Sequence, residues 1–264
     1  DMGGTSTDVS MIRDGKATAT RTTKVGDFPV KAPSVDVVSI GAGGGSIAYV
    51  PEITGALRVG PQSAGAVPGP ACYGRGGTEP TVCDANVVLG RLPEELLDGA
   101  MKLDVEAAHR AVQKIADALG MDVYEAAQGI LDIVNENMFG ALRVVTVERG
   151  FDPRDFALAA FGGAGPLHAN SVAVLSGSYP VIVPPEPGVL SALGFNATDY
   201  KNEFARTYLG KLDELDPAKT AADLEELRQE AIRWLEQEQI PEANRSVEFF
   251  MDVRYYLQGF EIPM

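Results

Sequence analysis

The first eight residues contain the groups that a phosphate-binding turn with a metal ion requires. Residues 1–8 have the sequence DMGGTSTD, in which Gly3 and Gly4 let the backbone approach an anion closely and direct successive N–H groups at it. The carboxylates of Asp1 and Asp8 suit a phosphate bound with Mg²⁺, because they can orient metal-bound water. The spacing predicts such a site, against the alternative of an ordinary glycine hairpin turn. Hydroxyl donors are added by Thr5, Ser6 and Thr7.

A second glycine-rich turn, at residues 161–169 (FGGAGPLHA), lies between an apolar segment and a helix pattern. Without Cβ atoms, such a turn lets a flat ligand lie against the backbone at the start of a helix. A plain strand-to-helix turn would have the same composition, so the turn alone does not decide between the two interpretations. The residues that would face a ligand are Gly162, Gly163, Ala164 and Gly165.

A third glycine cluster, at residues 41–46, follows a predicted strand and partly matches the dinucleotide-binding fingerprint. Ser46 stands where that fingerprint has glycine or alanine, and Pro51 interrupts the helix that should follow. A dinucleotide site is therefore disfavoured, and we expect a second loop that faces a ligand. Its candidate residues are Gly43, Gly44 and Gly45.

Three isolated residues are weaker candidates for contact with a substrate or a phosphate. Arg75, among glycines, can meet a phosphate or a backbone carbonyl, and Asp84 can cap a helix or bind a ligand. His168 begins a helix, where a lone histidine is more often a hydrogen-bonded structural residue than a base. The other histidine, His109, is distant in the sequence, so the pair does not indicate a metal cluster. No Walker A sequence occurs, which excludes a P-loop.

Several of these segments together resemble a known family. They are, in order along the chain, DMGGTSTDVS, SIGAGGGSIA, VGPQSAGAVPGPACYGRGG, PTVCDANVVLGRL and FGGAGPLHA. The first and the last resemble the phosphate and adenosine motifs of the actin-like ATPase superfamily. Residues 1–200 as a whole resemble the hydantoinase A / 5-oxoprolinase family. This family includes ATP-dependent N-methylhydantoinases, 5-oxoprolinases and the nucleotide-binding subunits of acetone and acetophenone carboxylases.

The resemblance implies an ATP site between two lobes. Residues 1–8 would hold the β- and γ-phosphates and Mg²⁺, and residues 162–165 would pack on the adenosine. Asp1 or Asp8 would orient metal-bound water or the attacking group. The family implies that ATP activates a carbonyl, for hydrolysis of a cyclic amide such as a hydantoin or 5-oxoproline, or for carboxylation of a ketone. It also implies a hydantoinase B-type subunit or domain as a partner.

The chain departs from the family pattern before Asp1 and at Cys83. The family's other phosphate hairpin is missing, and so is the strand that precedes Asp1. Cys83 stands where the resemblance leads us to expect a threonine, which leaves a thiol open to oxidation if it is exposed. We therefore expect a piece of a longer polypeptide, one that binds ATP weakly and hydrolyses it poorly in isolation.

Two other classes of function remain open from the sequence. A non-catalytic nucleotide-binding or assembly module would associate in a nucleotide-dependent way without substrate-stimulated turnover. A sugar-kinase-like phosphotransferase would require a hydroxyl substrate and would release ADP with a sugar phosphate.

Composition disfavours several classes of partner. The 22 Lys and Arg residues against 37 Asp and Glu residues give a net charge of −15. An acidic excess of this size argues against nucleic acid and anionic membranes, since both require clustered basic residues. No apolar segment reaches the length of a transmembrane helix. Two cysteines cannot form a disulfide framework, and we expect a cytoplasmic protein with reduced thiols.

The elements that must position these residues alternate between strands and helices. Hydrophobic periodicity and capping residues predict helices over residues 105–119, 122–149, 167–175 and 222–239. Strand patterns, the first two joined by a turn at Asp14 and Gly15, cover residues 8–13, 16–24, 35–40, 156–161, 179–183 and 247–262. The segment 156–161 is wholly apolar, which is typical of a buried strand.

This order of elements predicts an α/β fold. Combined with the resemblance, it predicts one lobe of an actin-like, ribonuclease H-like ATPase fold over residues 1–200. An α+β extension, with a charged helix and a strand segment leading to a further domain, is predicted over residues 201–264.

Overall fold

Two units make up the chain in a computed structural model that describes residues 1–26, 28–96, 99–259 and 261–264. The first unit is Asp1–Ala197 and the second is Thr198–Met264. The assignment of residues 1–200 to a nucleotide-binding lobe and of residues 201–264 to an extension stays a prediction.

Strands and helices are mixed along the first unit. The strands of the chain are β1 (Thr7–Ser10), β2 (Ile12–Arg13), β3 (Lys16–Ala17), β4 (Ala19–Val25), β5 (Phe28–Val35), β6 (Val37–Ile40), β7 (Ser46–Tyr49), β8 (Arg58–Ser63), β9 (Glu95–Leu96), β10 (Met101–Lys102), β11 (Leu158–Ala159), β12 (Val181–Ile182), β13 (Asp252–Val253) and β14 (Ile262–Pro263). The helices are α1 (Val82–Val88), α2 (Val105–Leu119), α3 (Val123–Val145), α4 (Gly165–Ser176), α5 (Leu190–Ala197) and α6 (Pro217–Gln237).

Strands pair in twos within the described residues. Six pairs are antiparallel: β1–β6, β2–β3, β4–β5, β7–β8, β9–β10 and β13–β14. The pair β11–β12 is parallel and is connected through α4. The second glycine turn lies within this β–α–β connection, between the end of β11 and the start of α4.

The predicted turn at Asp14 and Gly15 is confirmed, and it joins β2 to β3. Both residues have positive φ, 51° and 75°, as a two-residue hairpin turn with the twist of its strands requires. The predicted strand 8–13 is interrupted at Met11, which is buried and whose carbonyl accepts a hydrogen bond from the N–H of Thr18. The part before Met11, β1, pairs instead with β6.

Helices α1, α2 and α3 pack together into the core of the first unit. Helix α2 has the predicted bounds, with Asp104 as N-cap and Gly120 in the left-handed conformation at its end. The apolar stripe of α2 meets α3, and both enclose α1. The largest fully buried apolar side chains of these helices are Val82, Val112, Ile130, Leu131, Val134 and Val145.

Helix α3 ends earlier than predicted. The α-helical segment stops at Val145, and residues 147–149 form a single 3₁₀ turn before Gly150. The hydroxyl of Thr146 donates to the carbonyl of Leu142 at 2.6 Å, and three of the residues 144–147 are β-branched valines. Local competition for the backbone and restricted side-chain rotamers thus end the helix.

The prediction of a buried strand over residues 156–161 is wrong. Strand geometry is limited to Leu158–Ala159, and Ala159 is exposed. Within the described residues β11 pairs along one edge only, with β12, so it is not a central strand of a parallel sheet.

The second unit contains α6 and the β13–β14 pair. Asp216 caps α6 by accepting from the N–H of Ala218 at 2.9 Å, so the helix begins before the predicted residue 222. The predicted strand over 247–262 is wrong for most of its length, and residue 260 lies outside the described residues. The chain turns at residues 255–258, where Leu257 has a φ of 64°, and β14 returns to pair with β13. No helix in the described part of the chain combines the length and apolar character needed to cross a bilayer.

Candidate functional site

Residues 1–8 form a tight turn that we call hairpin 1–8. The N–H of Gly3 donates to the carbonyl of Ser6 at 3.0 Å, and the N–H of Asp8 donates to that of Asp1 at 2.8 Å. Met2 is buried below the turn, while Gly4 and Thr5 are exposed at its tip. The tip therefore presents backbone to solvent without large side chains.

Several N–H groups of the tip remain available to a ligand. The N–H groups of Gly4, Thr5 and Ser6 have no acceptor among the described residues. The hydroxyl of Thr5 lies 3.1 Å from that of Ser63. Thr7 differs, because it is buried and its hydroxyl donates to the carbonyl of Ala42 at 2.6 Å. This corrects the prediction that the Thr7 hydroxyl donates to an anion.

The third glycine cluster supports hairpin 1–8 from behind. The N–H of Gly44 donates to the carbonyl of Gly3 at 3.0 Å, and the N–H of Gly45 donates to that of Gly4 at 2.6 Å. A Cβ on Gly43 would lie 2.6 Å from the Thr5 nitrogen, a distance that side-chain atoms do not tolerate. The prediction of a second ligand-facing loop is therefore wrong for Gly43 and Gly45, which are buried against the hairpin.

The second glycine turn meets hairpin 1–8 directly. The N–H of Met2 donates to the carbonyl of Phe161 at 3.0 Å, and the N–H of Ala164 donates to that of Met2 at 2.9 Å. Gly162 has a φ of 88°, and a Cβ there would lie 2.3 Å from Oδ1 of Asp1. The structure thus brings together the two turns that the sequence places about 160 residues apart.

Two carboxylates flank the hairpin, and a serine fixes each of them. Ser191, in α5, donates to Oδ2 of Asp1 at 2.8 Å. Ser39, in β6, donates to Oδ1 of Asp8. Both aspartates are partly exposed, and each keeps one carboxylate oxygen without a hydrogen-bond donor among the described residues. An oriented carboxylate with a free oxygen can bind a water of a metal ion's hydration shell.

No local sequence pattern points to these two serines. Ser39 is 31 positions from Asp8, and Ser191 is 190 positions from Asp1. Their roles depend on the β1–β6 pairing and on the position of α5, which only the tertiary structure establishes.

His168 is a structural residue in the first turns of α4. It is 3% exposed, and its Nδ1 lies 2.8 Å from Oδ1 of Asn135. Its Nε2 lies 3.4 Å from Nδ2 of Asn86. Because an amide oxygen only accepts, Nδ1 carries the proton and Nε2 accepts. Burial lowers the pKa of His168 to about 4, with a contribution from the positive charge of Arg91. The neutral imidazole therefore links α4 to α1 and α3.

Acidification should lower the free energy of unfolding because His168 is buried in its neutral form. The unfolded chain takes up a proton near pH 6.5, whereas folded His168 does so near pH 4. Stability is thus present above pH 6.5 and is lost as the pH falls toward 4. Between pH 7.5 and 4.5 we expect a loss of about 2.5 kcal/mol from this group. Urea unfolding at both pH values should show a smaller loss in His168→Gln, with His109→Gln unchanged from wild type. Equal losses in all three proteins would contradict the assignment.

Asp84 caps α1 from inside the core, which is one of its two predicted alternatives. The residue is 0% exposed. Its carboxylate accepts from the N–H groups of Cys72 at 2.7 Å and Thr81 at 3.0 Å, and from the Thr81 hydroxyl at 2.7 Å. Thr81 completes a capping box with it. The carboxylate thus anchors the preceding loop rather than facing solvent.

Arg75 lies in an exposed part of that loop. Both neighbouring glycines have positive φ, 65° at Gly74 and 92° at Gly76. The guanidinium forms no hydrogen bond or ion pair with any described residue. Its proposed contact with a phosphate or substrate stays a prediction.

The glycine turns, the paired carboxylates and the α/β elements agree with one family. The model of the Hydantoinase/oxoprolinase family matches residues 1–204, and the chain belongs to this family. An uncharacterised protein of Methanocaldococcus jannaschii is 42% identical over 100% of this chain and 40% of its own length. The caprolactamase subunit alpha of Pseudomonas jessenii is 39% identical over 99% of this chain and 38% of its own length.

A solved structure shares the fold. The nucleotide-free structure of acetone carboxylase, from a study of ATP-dependent acetone carboxylation, superposes with a TM-score of 0.84 at 29% identity. The match covers 100% of this chain and 39% of that one. The predicted fold class and the predicted family are thereby confirmed. The chain spans about two fifths of the length of these relatives.

Proposed function

We propose that this chain is the nucleotide-binding part of an ATP-dependent enzyme that activates a carbonyl group. The observation that carries the proposal is the contact between the two glycine turns. Met2 exchanges backbone hydrogen bonds with Phe161 and Ala164, and Gly162 leaves no room for a Cβ beside the carboxylate of Asp1. A phosphate site and a surface for a flat base therefore adjoin, as a nucleoside triphosphate requires.

The residues of the site fit ATP with Mg²⁺. The unpartnered N–H groups of Gly4, Thr5 and Ser6 would donate to phosphate oxygens. Asp1 and Asp8, fixed by their serines, would hold water molecules of Mg²⁺. The backbone before α4 would lie against the adenosine at Gly163, which is exposed, and at Ala164, which is half-buried. Gly165 is buried, which corrects the prediction that it faces the ligand.

The chemistry follows from the resistance of amides and ketones to direct attack. ATP, when bound, supplies a phosphoryl group that makes a carbonyl oxygen a good leaving group. The chain's own part is to hold the phosphates on hairpin 1–8 and to orient the attacking group through Asp1 or Asp8. We propose a cyclic amide, such as a hydantoin or 5-oxoproline, or a ketone as the substrate. A hydantoinase B-type subunit or domain is the proposed partner.

ATP turnover by the whole protein with its partner tests the proposal. A panel of hydantoins, 5-oxoproline, lactams, and ketones with bicarbonate should contain one compound that stimulates hydrolysis. Asp1→Asn and Asp8→Asn should each lower kcat about a hundredfold, because the metal's water loses its carboxylate partner. Asp14→Asn, in the exposed β2–β3 turn, is the matched control and should keep full activity.

The same experiment separates the competing functions. Nucleotide binding without stimulation by any compound would favour the non-catalytic assembly module. Stimulation by a sugar, with release of a sugar phosphate, would favour the phosphotransferase. Unchanged turnover in both aspartate variants would contradict the site itself.

A further inference from the structure

The two cysteines of the chain face each other inside the first unit. The Sγ atoms of Cys72 and Cys83 lie 3.9 Å apart, although the residues are separated by 11 positions. Cys72 is fully buried, Cys83 is 7% exposed, and both thiols are free. Since the chain contains no other cysteine, an intramolecular disulfide can only join these two.

Hydrogen bonds hold both cysteines on anchored segments. The N–H of Cys72 donates to Oδ1 of Asp84 at 2.7 Å, and its carbonyl accepts from the N–H of Asp104 at 2.7 Å. Cys83 lies in the first turn of α1, which begins at Val82. The sulfur atoms therefore remain neighbours, and they must approach by about 2 Å to reach the ordinary S–S bond length.

The two thiols differ in acidity. The hydrogen bond to Cys83, together with burial and the nearby Asp84, raises the pKa of Cys72. The hydrogen bond from Cys72 lowers the pKa of Cys83, and Tyr73 contributes in the same direction. Cys83 is thus both the more accessible thiol and the one that ionises more readily, which makes it the attacking group toward an oxidant.

A short backbone path connects Cys83 with hairpin 1–8. The N–H of Cys83 donates to the carbonyl of Gly44 at 2.7 Å, and the N–H of Gly44 donates to the carbonyl of Gly3 at 3.0 Å. Any shift of the first turn of α1 therefore reaches the hairpin through two successive hydrogen bonds.

We propose that a peroxide oxidises Cys72 and Cys83 to an intramolecular disulfide and that this bond loosens hairpin 1–8. The Cys83 thiolate attacks one peroxide oxygen, the O–O bond breaks, and water leaves after the second oxygen takes up a proton. The resulting sulfenic acid is attacked by the Cys72 sulfur, which loses its proton as the S–O bond breaks and a second water leaves. The two thiols are oxidised by two electrons, and hydrogen peroxide is reduced to two waters.

The new bond should weaken the support of the hairpin. The sulfur atoms must approach each other to form the bond, so Cys83 shifts within the first turn of α1. That shift strains the hydrogen bond from its N–H to the carbonyl of Gly44. Losing that hydrogen bond should accelerate hydrogen exchange in residues 41–46 and 1–8 about fivefold.

Mass spectrometry of the full chain tests the bond. After hydrogen peroxide treatment and alkylation with N-ethylmaleimide in denaturant, we expect an unalkylated protein lighter by two hydrogens, with one cross-linked Cys72–Cys83 peptide. Dithiothreitol should restore two alkylation sites. Two alkylated thiols, a sulfinic acid on Cys83 without a bridge, or a link between two chains would each overturn the proposal.

Hydrogen exchange tests the coupling without reference to nucleotide or turnover. Oxidised wild type should exchange faster than reduced wild type in residues 41–46 and 1–8. Cys83→Thr, which keeps a small side chain and cannot form the bridge, should exchange at one rate with and without peroxide. A bridged protein with unchanged exchange in both segments would overturn the link between the cysteines and the hairpin.

Discussion

Replacing Gly162 with alanine is expected to destroy the junction between the two glycine turns. The new Cβ would lie 2.3 Å from Oδ1 of Asp1 and 2.4 Å from the carbonyl oxygen of Met2. The φ of 88° adds strain that alanine, unlike glycine, does not tolerate. Overpacking and strain together should cost about 4 kcal/mol. Because the clash falls on Asp1, ATP-dependent turnover should drop about a thousandfold.

Gly163→Ala is the matched control for this substitution. Gly163 is the next residue of the same turn, it is exposed, and a Cβ there would meet nothing within 4 Å. Stability by urea unfolding should therefore stay near wild type. If Gly162→Ala is as stable as Gly163→Ala, the close approach of the two turns does not exist in solution.

The three glycine clusters show that a glycine-rich composition alone does not determine what a segment contacts. Hairpin 1–8 presents the N–H groups of Gly4, Thr5 and Ser6 without acceptors among the described residues, and Gly163 is exposed in the turn containing Gly162. Ligand binding by both turns stays a prediction. The cluster with Gly43 has the same composition, but there glycine is required because the backbone packs on Thr5. Glycine permits close approach of a ligand and of another chain segment equally. Only the pairing of β1 with β6, a contact between distant residues, decides which of the two occurs.

The elements that could be predicted are those whose signals are local. Helix α2 has the predicted ends because Asp104 and Gly120 cap it within one turn. The end of α3 and the exposure of β11 could not be obtained in the same way. The first depends on the hydroxyl of Thr146 competing with the helix backbone. The second depends on which segments pack on the faces of β11. The same limit applies to Ser39 and Ser191, whose partners are remote in sequence.

His168 illustrates why a candidate site residue in sequence becomes a structural one in the fold. A histidine beside glycines at a helix start is compatible with acid–base chemistry. The structure surrounds it with the amides of Asn135 and Asn86, which come from α3 and α1. These partners fix a neutral tautomer and leave neither ring nitrogen open to a ligand. His168 therefore joins the start of α4 to α1 and α3.

Asp84→Ala should be the most destabilising single carboxylate replacement in the first unit. It would leave the buried N–H groups of Ala71, Cys72 and Thr81 and the Thr81 hydroxyl without their acceptor. Four unsatisfied donors and the lost half of the capping box should lower the free energy of unfolding by about 5 kcal/mol. Urea unfolding followed by far-ultraviolet circular dichroism measures this, since the only tryptophan, Trp234, belongs to the second unit.

Asp122→Ala gives the cost of losing an exposed cap for comparison. Asp122 is the N-cap of α3, the position that Thr81 occupies in the capping box of α1. It is exposed, so water can replace its carboxylate and the cost should be about 1 kcal/mol. Asp84→Asn should fall between the two, because one amide oxygen still accepts while the amide NH₂ faces buried donors. Equal losses for Asp84→Ala and Asp122→Ala would mean that the loop before α1 is not anchored by the Asp84 carboxylate. The ordering of the three variants therefore measures how firmly the segment carrying Cys72 and Cys83 is held behind the candidate site.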